Sequence, residues 1–113
     1  MKKTIKVYQH TNQKGRFVAN HFIINENTKN KYCNTFQSYN TTICKVTTQT
    51  KINEETKTNI ILDKNALNYS VTTSKHLYTF LRSFTCLGVP YINPRKRILE
   101  AIKNKEIKTK NLN

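Results

Sequence analysis

Two hydrophobic periods divide the chain. Up to about residue 63 apolar positions alternate with polar ones, and beyond residue 70 they recur at helical spacing. Thr4 to Gln9 places Ile5 and Val7 on one side of a strand and Lys6 and Tyr8 on the other. Lys14-Gly15 supplies a turn, because glycine takes positive φ at no steric cost. Arg16 to Ala19 and His21 to Asn25 read as short extended pieces, and the Asn-rich stretch 25–35 reads as a loop. Thr35 to Ser38 and Thr42 to Thr48 predict a hairpin around Tyr39-Asn40-Thr41. Ile43 and Val46 sit three apart, so that strand is expected to carry a bulge. The polar stretch Thr47 to Asn59 reads as a long hairpin loop or inserted tip. Asn59 to Asp63 forms a short strand, Ile60-Ile61-Leu62, stopped by Asp63-Lys64-Asn65.

In the second part, Leu77, Phe80, Leu81 and Phe84 fall at i, i+3, i+4 and i+7. They predict a helix over Ser74–Phe84, with capping side chains offered between Ser70 and Ser74. Gly88 and Pro90 end it. Asn93-Pro94 reads as an N-cap followed by proline at the first helical position, opening a helix to about Lys105 that buries Ile98, Leu99 and Ile102. The tail from Glu106 to Leu112 suits a terminal edge strand. The expectation is a single α+β domain over residues 1–113, a small antiparallel sheet with two C-terminal helices packed on one face.

Charge changes the picture most. Twenty Lys and Arg stand against six Asp and Glu, a formal charge of +14. Unbalanced charge on a small domain repels itself, and an anionic partner relieves it. Nucleic acid is the leading partner, single-stranded or duplex, with a host nucleoprotein complex as the alternative. A/T-rich codon usage also inflates lysine, and it accounts for part of the excess. No apolar run is long enough to span a membrane, and the basic N-terminus lacks the apolar stretch of a signal peptide. Three widely spaced cysteines argue against a disulfide framework and for a reducing compartment, so a cytoplasmic location is expected.

The basic residues of the last third gather around the helices. Arg95, Lys96, Arg97 and Lys103, with Lys75, His76 and Arg82, are the expected phosphate contacts. Cations in the first turn of a helix oppose its macrodipole, so Arg95, Lys96 and Arg97 imply a binding role or a neighbouring anion. The plain alternative is a solvated helix face. Thr72, Thr73 and Ser74 are expected at a helix N-terminus, where hydroxyls and N–H groups suit an anion; ordinary capping is the alternative. Tyr39, Tyr69 and Tyr78 offer stacking surfaces or half-buried core.

Catalysis is not expected. Glu106-Ile107-Lys108 with Asp63 matches half of a metal-nuclease pattern but lacks paired carboxylates. His10, His21 and His76 are general acid–base candidates only if the fold brings them to a partner. Cysteine and histidine spacing does not suit zinc, no cofactor is expected, and Cys44 and Cys86 read as core thiols.

Three segments carry a resemblance. Ser38-Tyr39-Asn40-Thr41-Thr42-Ile43, Ile60-Ile61-Leu62-Asp63, and Asn68-Tyr69-Ser70-Val71-Thr72-Thr73-Ser74-Lys75-His76 leading into Tyr78-Thr79-Phe80-Leu81 resemble a family of small uncharacterised phage and mobile-element proteins. The tail from Ile102 to Leu112 is similar too. Residues 1–35 and Arg82 to Tyr91 fit that pattern less closely. The resemblance implies a phage-type source and a compact α+β domain, and no activity. The expected function is a non-enzymatic, nucleic-acid-associated binding protein. An anti-CRISPR-like inhibitor of host defence and a minor virion component are the alternatives.

Overall fold

The computed structural model describes residues 3–50 and 56–113. Strands β1 (Thr4–Thr11), β2 (Phe17–Asn27), β3 (Lys31–Ser38), β4 (Thr41–Gln49) and β5 (Lys57–Asp63) follow one another. A short 3-10 turn (Ala66–Asn68), helix α1 (Val71–Phe84), helix α2 (Pro94–Lys103) and strand β6 (Ile107–Lys110) complete the chain. The sheet order is β1-β2-β3-β4-β5-β6. The first five strands form an antiparallel meander, whereas β6 lies parallel to β5. The sheet is therefore mostly antiparallel. A parallel neighbour needs a long crossover, and the stretch holding both helices provides it.

Several local features differ from the sequence reading. The two pieces expected at 16–19 and 21–25 are one strand, with Asn20 absorbing the irregularity at φ 60°. Asparagine tolerates this left-handed geometry better than most residues. The expected loop at 25–35 is mostly strand. Asn25 and Asn34 face each other across β2 and β3, and their amides bond at 2.7 Å. Cross-strand pairing of this kind outweighs their poor strand propensity. The long loop expected from Thr47 to Asn59 is shortened at both ends. Thr47, Thr48 and Gln49 pair with Asn59, Thr58 and Lys57, while residues 51–55 lie outside the described residues.

The bulge is where the spacing placed it. Phe36 pairs with Cys44 and Gln37 with Thr42, so Ile43 is the extra residue, and both Ile43 and Cys44 are buried. Helix α1 starts earlier than expected, at Val71. Ser70 is its cap, accepting from the Thr73 N–H at 3.2 Å. Helix α2 has proline in its first turn, but Asn93 sits at φ 51° and its side chain caps nothing.

The core joins both parts of the chain. Ile23, Phe36, Cys44, Val46, Ile60, Leu62 and Ile107 of the sheet are buried in one cluster with Leu77, Phe80 and Leu81 of α1 and Ile98 and Ala101 of α2. The Phe36 and Phe80 rings stack at 5.4 Å, which seats α1 on β3. Leu99, expected in the core, is 47% exposed because Ile98 and Ala101 take the inward side of α2. Cys86 is exposed rather than a core thiol, since it follows the end of α1.

Candidate nucleic-acid interface

A groove of about 890 Å³ opens between the β1–β2 turn, α1 and the start of α2. Five cations line it: Lys14, Arg16, Lys75, Arg82 and Arg95. Tyr69, Tyr78 and Tyr91 line it too, and among the described residues no Asp or Glu does.

The β1–β2 turn is a rigid mount. The Asn12 side chain accepts from the N–H groups of Lys14 and Arg16 at 2.9 and 3.1 Å. Asn12 N–H bonds the Arg16 carbonyl at 2.9 Å, and Gly15 sits at φ +74°. A side chain there would be strained, so glycine is what lets the turn close. Lys14, Arg16 and Lys75 make no ion pair among the described residues.

The two groove arginines are held more firmly. Arg82 donates from Nε to the Val89 carbonyl at 3.1 Å and from Nη2 to the Pro90 carbonyl at 2.9 Å. Arg95 donates from Nη1 to the Leu67 carbonyl at 2.7 Å.

The remaining expected contacts distribute unevenly. His76 and Ser74 line the groove with Lys75. Lys96 and Lys103 line a shallower hollow beside it, which also contains Glu100. Arg97 points elsewhere: Nε and Nη2 bond the Leu87 carbonyl at 3.2 and 2.9 Å, and Nη2 pairs with Glu106 at 2.9 Å. Glu106 is the neighbouring anion that a cation-rich first turn called for. Thr72 and Thr73 lie in the first turn of α1 and do not line the groove; the Thr73 N–H is already taken by Ser70.

Beneath the groove the three histidines converge. The His76 ring lies 4.8 Å from His21 and 5.3 Å from His10, and His10 and His21 both pack on Phe36. His21 bonds the Ala19 carbonyl through Nδ1 at 2.8 Å and Ser38 Oγ through Nε2 at 3.1 Å. A carbonyl only accepts, so Nδ1 carries a proton and, in the neutral ring, Nε2 accepts from the serine. His10 is buried and its Nε2 has no hydrogen-bond partner among the described residues. Burial, reinforced by His76 and His21, pushes its pKa down to about 4. Burial and the charges of His21 and Lys75 lower His76 as well. Burial thus disfavours the charged forms of His10 and His76, and the three rings form a polar floor under a cationic groove.

Asp63 and Glu106 are both engaged in structure. Buried Asp63 accepts from Leu112 N–H at 2.9 Å, Asn65 N–H at 3.2 Å and the Tyr69 hydroxyl at 3.3 Å. Burial alone would raise its pKa, but these bonds together outweigh it and hold the carboxylate below its usual range. It ties the chain end and the start of the crossover to β5. Among the described residues no group of three or more His, Cys, Asp or Glu is arranged to hold a metal ion, the histidine cluster included.

Sequence reasoning missed Lys14, Arg16 and Tyr91. Lys14-Gly15-Arg16 was legible as a turn flanked by two cations. Its position opposite α1 depends on sheet register, which spacing alone does not give.

Fold and surface together define a small basic α+β protein whose two helices connect adjacent parallel strands of an otherwise antiparallel sheet. Residues 5–98 match a family of unknown function (DUF8033), and the chain belongs to that family. The match takes in the N-terminal strands and the Arg82–Tyr91 segment, where the resemblance seen in the sequence was weaker. No curated protein and no solved structure matches the chain. Among the described residues, no helix is long and apolar enough to cross a membrane.

Proposed function

We propose that this protein binds nucleic acid without catalysis, as a phage or mobile-element protein acting in the host cytosol. One observation carries the reading: five cations and three tyrosines line a groove to which no carboxylate among the described residues contributes. Phosphates neutralise such a surface and release counterions, while phenol rings suit base or sugar faces. Lys14, Arg16 and Lys75 are the principal contacts, because among the described residues no ion pair or hydrogen bond ties down their side chains. Arg82 and Arg95 offer their remaining N–H groups from fixed positions.

The test is fluorescence anisotropy with labelled single-stranded DNA, duplex DNA and RNA across a salt series. Lys14→Gln/Arg16→Gln/Lys75→Gln is expected to weaken binding. It should also flatten the log–log salt slope by roughly 0.7–0.9 for each phosphate that is no longer neutralised. An unchanged slope in the folded variant overturns the assignment. Binding by the native protein that vanishes near physiological salt makes the charge a product of codon composition.

A second reading, a protein-binding inhibitor of host defence, is favoured by the other side of the sheet. We read both helices as covering the face that carries Phe36, which leaves the opposite face open. Ile5 and Val7 pair with Glu26 and Ile24, on the opposite side of the sheet from Phe36, and are 60% and 62% exposed. Exposed β-branched residues on a sheet suit a protein surface better than a phosphate. A stoichiometric host protein retained after nuclease treatment, and released by Val7→Lys, favours this reading.

A further inference from the structure

Tyr91 is 73% exposed even though one face of its ring is occupied. The Arg82 guanidinium carbon lies 4.2 Å from the ring centroid. Arg82 is itself fixed by the carbonyls of Val89 and Pro90, the two residues before Tyr91. The guanidinium thus clamps the loop to α1 and backs the phenol ring. The ring is held as a plate, with its second face turned to water.

That plate stands in the wall of the groove, together with Lys75 and Arg95. A flat apolar face beside two cations, Arg95 held by the Leu67 carbonyl and Lys75 untied, matches a nucleotide, a flat base joined to an anionic phosphate. In a duplex both faces of a base are covered by its neighbours, so only an unpaired base has a face to give. Stacking recovers the apolar area that Tyr91 leaves open, and the cation–π contact with Arg82 has already fixed the ring in place.

Resting on the nucleic-acid reading of the groove, we propose that its ligand is single-stranded and that an unpaired base stacks on the open face of Tyr91. Guanidinium, phenol and base then form three layers, and the strand's phosphates run toward Lys75, Lys14 and Arg16. The preference is for single strands over duplex rather than for any one base, because every base has a π-face.

The experiment compares an oligonucleotide as a single strand, as a duplex with its complement, and as a single strand with abasic sites. The native protein is expected to bind the ordinary single strand most tightly. Tyr91→Ala should lose roughly 5- to 150-fold in affinity for it, corresponding to 1–3 kcal/mol of stacking. Its duplex affinity and salt slope should match the native protein's, and Tyr91→Phe should retain single-strand binding. Equal affinity of the native protein for abasic and ordinary strands overturns the proposal. So does unchanged binding by Tyr91→Ala, and the groove reading survives if Lys14→Gln/Arg16→Gln/Lys75→Gln still weakens. If that triple variant binds as well as the native protein, the groove reading fails and takes the stacking proposal with it. Should Tyr91→Ala fail to fold, the abasic comparison on the native protein decides alone.

Discussion

Arg97 and Lys75 are both cations near the start of a helix, and they serve the molecule in opposite ways. Arg97 is bolted to the Leu87 carbonyl and to Glu106, so its charge is used up in holding the α1–α2 loop against the start of β6. Lys75 lines the groove with no ion pair among the described residues. The same contrast separates the groove floor from its rim. The floor is imidazole packed ring against ring and onto Phe36; the rim carries charge with no ion pair among the described residues. On the function proposed above, floor groups act on folding and rim groups act on a ligand. A net charge of +14 does not distinguish the two.

The largest effect that bears on this contrast is acid sensitivity through the floor. His10 titrates at about 4 in the folded protein against 6.5 unfolded. Its folded value is depressed, so the unfolded chain takes up the proton first as pH falls. Stability is full above about 6.5, declines through the window and reaches its lowest contribution near 4. The ceiling is on the order of 3 kcal/mol, and His76 shifts in the same direction. Asp63 and Glu106 are both depressed and act with the same sign, but their loss falls at lower pH. Urea denaturation at steps between pH 7.5 and 4 is the measurement. His10→Leu should flatten the decline above pH 4.5. A native midpoint that stays constant across the window breaks the description of the floor.

Next in size is Arg97→Gln. It leaves the Leu87 carbonyl short of its donors, a loss of about 1–2 kcal/mol. The pair with Glu106 lies at the surface and adds little. Thermal denaturation should register the loss while the salt slope for nucleic acid stays native. A changed slope at native stability would move Arg97 from the folding group to the ligand group. Ser70→Ala is smaller, about 1 kcal/mol from removing the cap of α1. If it weakened nucleic-acid binding without changing stability, the Thr72-Thr73-Ser74 turn would regain its place as an anion site.

Much of the fold was legible because it rests on period. The stripe Leu77, Phe80, Leu81 marks α1, and the three-residue gap between Ile43 and Val46 marks the bulge. What failed was local propensity where pairing overrides it. Asn25 and Asn34 look like loop residues until each meets the other across the sheet. The parallel placement of β6 was not legible either, since a four-residue edge strand carries no sign of its direction. In the candidate site, Lys75, His76, Arg82 and Arg95 were legible as a basic cluster, but Arg97 was grouped with them because sequence shows charge and not its partner. The histidine cluster joins positions 10, 21 and 76. No spacing rule reaches across a hairpin and a crossover helix, so the convergence was visible only in three dimensions.

The smallest stability change belongs to the rim, and it is the sharpest test of the contrast. Lys14, Arg16 and Lys75 make no side-chain hydrogen bond or ion pair among the described residues, and none is buried. Replacing exposed residues of this kind usually shifts stability by about 0.5 kcal/mol or less. Here the sign should be favourable, because removing three like charges from a strongly cationic molecule relieves self-repulsion. Lys14→Gln/Arg16→Gln/Lys75→Gln is therefore expected to melt at or slightly above the native temperature at low salt. The gap should close as salt screens the remaining charge over about 10 Å at 0.1 M. A clear loss of stability would mean that these side chains hold the β1–β2 turn against α1, as Arg97 holds its loop. The rim would then belong with the floor, and its charge would be needed for folding before any ligand arrives.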